Sequence, residues 1–154
     1  MTHPLINEHA AAWLNELRTT SRPKAKGMLI SLDGCSCTLG DAMILEYGEP
    51  TPDGSNPNWV THPFRKDRWV YNYDPSDDAA DGEDVNIDTC LSYALARKLG
   101  LRTHGGGSSS KLDRRSIWML NDNLDEDPDL TKAQIADIIE ANAEAYFRPL
   151  EERA

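Results

Sequence analysis

The stretch Gly27-Met-Leu-Ile-Ser-Leu-Asp-Gly-Cys-Ser-Cys-Thr-Leu-Gly-Asp-Ala-Met-Ile-Leu-Glu-Tyr47 decides the fold class. Gly27 to Leu32 is a short apolar run of strand length. Asp33-Gly34 follows as a turn pair. From Cys35 onward the spacing changes to that of a helix, with Leu39, Ala42, Met43 and Tyr47 on one face and Gly48 as a C-terminal stop. A strand feeding a helix, inside a chain otherwise dominated by helical periodicity, predicts a helix-rich α+β fold. Four or five helices would surround a small β-sheet or hairpin.

Upstream, a helix is predicted from about Asn7 to Thr20. Asn7 caps it, Ala10, Trp13, Leu14 and Leu17 form its apolar face, and Arg22-Pro23 ends it. Downstream, residues 49–87 read as an irregular, loop-rich insertion broken by Pro50, Pro52, Pro57, Pro63 and Pro75. Within it Arg68–Tyr73 alternates as a strand does. The acidic run 74–84 lacks the apolar content to order itself and predicts a mobile loop. A further helix is predicted from an Asp88 cap to Leu99, with Leu91, Leu95 and Leu99 in register and Gly100 as its stop. His104-Gly-Gly-Gly-Ser-Ser-Ser-Lys111 reads as a flexible link, and Ile117–Leu120 as a short helix or strand. The last helix has the sharpest start: Thr131 and Gln134 make a capping box, and Leu130 is placed to staple against Ile135. Ile135, Ile138, Ile139, Asn142 and Tyr146 keep its register, and Pro149 closes it. No repeat or second core is present, so residues 1–154 are expected to form one domain.

With 26 acidic against 16 basic residues, the formal net charge is -10. Such a surface argues against general nucleic-acid binding and against anionic membranes, and suits a protein partner with a basic face. No apolar run approaches the roughly 20 residues of a membrane helix. The odd count of three cysteines and the lack of an export signal predict a cytoplasmic protein with reduced thiols.

Three groups of residues share an order and spacing. They are Trp13-Leu-Asn-Glu-Leu-Arg18 with Lys26-Gly27 and Gly34-Cys-Ser-Cys-Thr-Leu-Gly40; Ala96-Arg-Lys-Leu-Gly-Leu101; and Leu120-Asn-Asp122 with Gln134-Ile-Ala-Asp-Ile-Ile-Glu140. Together they resemble a family of small uncharacterised proteins of actinobacterial phages and prophages. That family shows a tryptophan-bearing first helix, a cysteine-cysteine-leucine-glycine segment and a tryptophan-leucine-glycine-leucine helix end. It closes with leucine-asparagine-aspartate ahead of an isoleucine-alanine helix. Here Thr38 stands in place of the second cysteine and Lys98 in place of the second tryptophan, which argues against a function needing paired adjacent thiols. The resemblance implies a phage accessory protein acting in the host cytoplasm and carries over no catalytic residue.

Several constellations bear on chemistry. A thiol at Cys35 or Cys37, just before a helix, has the position of a nucleophile but needs a histidine base, and His62 and His104 lie in loops without a signature. The Cys35–Cys37 spacing is too close for a zinc pair, and Cys90 has no second cysteine near it. Asp77–Asp88 matches a calcium loop at Asp77, Asp81 and Gly82 but fails at Ala79, Val85 and Asp88. Asn121-Asp122 reads as a turn former. Two sets of site residues remain. Trp59, Arg65, Arg68, Trp69 and Tyr71 combine rings and cations suited to a nucleobase. Asp77, Asp78, Asp81 and Asp84 offer the acidic surface a basic partner would meet.

The reading that follows is a non-enzymatic phage accessory protein that binds and modulates a host protein, a defence or regulatory factor. The alternative is a small-ligand binder that sequesters a nucleotide signal, and the third is a cysteine-dependent enzyme. No cofactor or metal is expected.

Overall fold

A computed structural model describes residues 3–25, 28–62, 64–72, 91–102, 117–122 and 130–152. The elements run α1 (Glu8–Thr19), β1 (Ile30–Ser31), α2 (Thr38–Tyr47), β2 (Trp59–Thr61), β3 (Arg68–Tyr71), α3 (Tyr93–Leu99), α4 (Ile117–Asp122), α5 (Lys132–Ala141) and α6 (Ala143–Tyr146). A 3₁₀ turn follows at Leu150–Glu152. The fold is α+β: helices packed beside a three-stranded antiparallel sheet of order β1-β3-β2. Trp59 pairs with Tyr71, Val60 with Val70, and Ile30 with Trp69.

The core lies where α1 meets α5 and α2, with α4 bridging α2 and α5. Trp13, Leu14 and Leu17 of α1 bury there with Leu39 and Met43 of α2 and Ile135 and Ile139 of α5. This is the face that the heptad-like spacing of α1 predicts. Asn7 caps α1 by accepting the Ala10 N–H, and its amide donates to the Lys98 carbonyl, so one side chain starts α1 and anchors the end of α3. Gly40 lets α2 sit directly on the backbone just ahead of β1. A Cβ there would lie 2.1 Å from the Leu29 carbonyl oxygen, closer than any side chain tolerates.

The start of the third helix differs from expectation. The cap is Ser92, whose hydroxyl accepts the Leu95 N–H and bonds the Tyr47 hydroxyl at 2.7 Å. A tertiary partner on α2 thus fixes where this helix begins, and Leu91, expected inside it, is buried just ahead of it. Gly100 ends α3 in the left-handed conformation, φ 78°. The capping box of α5 is present as spelled, with Thr131 accepting from Gln134 N and Gln134 accepting from Thr131 N. The helix breaks at Asn142 instead of running on to Tyr146, and α6 follows with Ala145 and Tyr146 buried in the core.

Residues 49–72 are more ordered than an irregular insertion. Besides the expected strand at 68–71, Trp59–Thr61 forms its hairpin partner. The Asn56 and Asn58 side chains donate to the Tyr47 carbonyl, and Asn56 donates also to that of Glu49. These bonds satisfy the orphan carbonyls at the end of α2 and tie the loop down. The acidic run 74–84 with Asp77, Asp78, Asp81 and Asp84, the Asp88 position, Cys90 and the link 104–111 lie outside the described residues. Among the described residues no helix is long and apolar enough to cross a membrane.

Candidate functional site

Two places concentrate polar or exposed chemistry. The first is a buried polar knot at the N-terminal turn of α2. Asp41 and Ser36 are almost wholly enclosed, as is Lys132 from the first turn of α5. Lys132 Nζ lies 2.8 Å from Asp41 Oδ2 and donates to Ser36 Oγ at 3.0 Å. The Ser36 hydroxyl donates to Asp41 Oδ1 at 2.5 Å. Beside it, Asn121 Oδ1 accepts from both the backbone N–H and the hydroxyl of Thr38, while its amide donates to the Ala25 carbonyl. Trp13 Nε1 donates to the Thr38 carbonyl.

A serine beside a lysine and a carboxylate has the composition of a nucleophilic site, but its geometry does not serve one. Ser36 is fully buried and its hydroxyl donates a hydrogen bond to Asp41, while Lys132 Nζ faces the same carboxylate, so no open side of the serine is left to a substrate. The backbone N–H and C=O of Ser36 are spent on Pro23 and Ala25. The cluster therefore joins distant chain segments through buried bonds, with Asp41 Oδ2 held by the charge of Lys132 and by no hydrogen bond. Asn121, read as a turn former, is a long-range clamp instead.

Cys37 is buried and is the N-cap of α2, its sulfur accepting the Gly40 N–H at 3.2 Å, while Cys35 is half-buried. The alternating pair thus sends one thiol into the core. Among the described residues no group of three or more His, Cys, Asp or Glu side chains is arranged to hold a metal ion. A cleft of about 260 Å³ opens between α1, α2 and α3 over Trp13, Ala42 and Leu95. Lys98 spans its rim to Glu46 at 2.8 Å.

The second place is the β2–β3 hairpin. It brings Trp59 and Tyr71 together edge to face at 6.3 Å, and Tyr71 stacks on Tyr47 at 4.6 Å. Trp59 is buried with its indole N–H bonded to the Gly48 carbonyl, and Trp69 is half-buried across from Ile30. Arg68 is buried and donates to Asp67 at 3.1 Å. Arg65 stands exposed in the connection between the strands, beyond the far end of β3 from Tyr71. At about 3.3 Å per residue, β3 alone puts roughly 10 Å between Arg68 and Tyr71. The five residues therefore form no single patch. The rings of Trp59 and Tyr71 meet at one end of the hairpin, and Arg65 lies at the other.

That other end carries a side chain that residue types alone did not single out. Phe64 is 87% exposed, the most exposed of the large apolar side chains among the described residues. His62 Nδ1 accepts the backbone N–H groups of both Phe64 and Arg65, at 3.1 and 2.9 Å, which fixes the turn that presents them. Lys66 is exposed beside them. Leu32, 44% exposed, adjoins the tip through its N–H bond to the Asp67 carbonyl. The signal in the sequence was a ring next to two cations between two strands, visible only once β2 was recognised.

No protein family, curated protein or solved structure matches the chain.

Proposed function

We propose that this chain is a non-enzymatic accessory protein of a phage or prophage that binds and modulates a host protein. The observation that carries the binding reading is Phe64, a phenyl ring held almost fully in water on a braced hairpin tip. Single exposed apolar residues are common on protein surfaces. An aromatic ring flanked by Arg and fixed before contact is the composition and pre-organisation that binding hot spots use. The formal charge of -10 supports a partner whose face is basic overall. The phage context rests on the resemblance set out above.

The test compares tagged wild type with a Phe64→Ser variant in host lysate, with thermal melting as the fold control. The wild type is expected to retain a defined host protein in stoichiometric amount, and the variant to lose most of it at an unchanged melting temperature. Equal retention by both would overturn the reading.

A further inference from the structure

We infer that the hairpin tip is a proton-sensitive turn: it holds the Phe64 and Arg65 backbone in place while the His62 imidazole is neutral, and releases it when that ring is protonated. The tip does this whether or not Phe64 docks on a partner. His62 is half-buried just past the end of β2, and its Nδ1 accepts two backbone N–H groups, from Phe64 at 3.1 Å and from Arg65 at 2.9 Å. A neutral imidazole has one nitrogen that donates and one that accepts, so here Nδ1 is bare and the ring proton sits on Nε2. The Phe64 ring meets the imidazole edge to face at 6.3 Å, so the group that senses acid lies against the side chain it presents.

A few residues earlier the chain makes the same kind of turn without a titratable ring. Asn56 Oδ1 accepts the Asn58 N–H at 3.1 Å, and Asp53 Oδ1 accepts the Ser55 N–H at 3.0 Å. In each, a side-chain acceptor closes onto a backbone N–H two residues on. The Asn56 amide oxygen keeps its lone pairs in acid, whereas Nδ1 of His62 does not. Protonation puts a hydrogen on Nδ1, and three N–H groups then converge with no acceptor among them. Arg65, Lys66 and Asp67 share the connection with His62, and Arg68, whose carbonyl accepts the His62 N–H at 3.3 Å, lies across on β3. The switch does not depend on these charges, because none of them can restore a lone pair at Nδ1. The pairing of Val60 with Val70 and of His62 N–H with Arg68 uses backbone groups alone. The strands therefore stay together in acid, and the loss is confined to the tip.

The experiment follows the isotope-labelled full-length protein by NMR from about pH 8 to about pH 5, the interval in which histidine ordinarily changes charge. At the upper end the His62 ring should be the Nε2–H tautomer. As the ring signals titrate, the Phe64 and Arg65 amide signals should move with them, and the protection of both amides against solvent exchange should be lost. Protection decides the matter, since a nearby charge alone would shift the signals without freeing the amides. The Asn58 amide, held by a side chain that does not titrate, should keep its protection throughout. His62→Asn supplies an acceptor that acid does not remove, so the Phe64 and Arg65 amides of that variant should stay protected over the whole range. An Nδ1–H tautomer at the upper end, amides of Phe64 and Arg65 that remain protected after the ring is protonated, or the same acid response in His62→Asn would each overturn the inference.

Discussion

Asp41 and Lys132 show how much a single side chain can matter here. Each is nearly sealed from water, so each depends on the other for charge and on Ser36 for a further bond. Replacing such a pair by well-packed apolar residues is often close to neutral, whereas removing one member strands the other. Asp41→Asn should therefore cost about 3–5 kcal/mol in urea denaturation. The double replacement Asp41→Leu/Lys132→Met should recover much of that loss. A single variant as stable as wild type would show that the ammonium finds water. None of this was legible in the sequence. Ser36 and Lys132 lie 96 positions apart, and no local periodicity links them. Asn121 was noticed, but its partners Thr38 and Ala25 are also distant, so it read as a local turn.

At the scale of elements, the sequence was most legible where the decisive contacts are local. The caps at Asn7 and Thr131 and the stop at Gly100 lie within a turn of the groups they satisfy, and the structure has all three. Thr131→Ala should cost roughly 0.5–2 kcal/mol of stability, measured by chemical denaturation, with the slope of the transition unchanged. The start of α3 was misplaced because Ser92 is chosen by Tyr47, a residue of another helix. Strand β2 was missed because three residues between prolines carry no period of their own. The connecting turns also hold a pH response. Asp33, Asp53 and Asp67 all titrate below the usual aspartate value. For Asp33 and Asp53 hydrogen bonds from Ser31 and Ser55 are the leading cause, and for Asp67 the bond from Arg68. A depressed folded value means that the stabilisation is complete above the ordinary aspartate range and is lost as pH falls through the folded values. All three carboxylates lie at the surface, so the loss is small. Comparing wild type with Asp53→Asn below about pH 4 should show the difference between them shrinking as acid rises.

For the whole molecule, the α+β class followed from one strand-turn-helix stretch, while the exposed ring of Phe64 did not follow from composition. Net charge describes the far field alone. Changing Asp77, Asp78, Asp81 and Asp84 to Asn should slow association with the host protein more than it speeds dissociation, and added salt should do the same. Kinetic binding at several ionic strengths tests this, and an association rate indifferent to both changes would exclude steering by charge. The close packing of α1 along α5 has its own consequence during synthesis. A ribosome adding about 5–20 residues per second needs on the order of ten seconds to reach α5 after completing α1. Throughout that interval Trp13, Leu14 and Leu17 lack the surface that will cover them, so the emerging chain is a substrate for whatever shields greasy segments at the exit tunnel. A message cut before Lys132 should yield an aggregate that sediments after cell-free translation, whereas the full-length product stays in the supernatant.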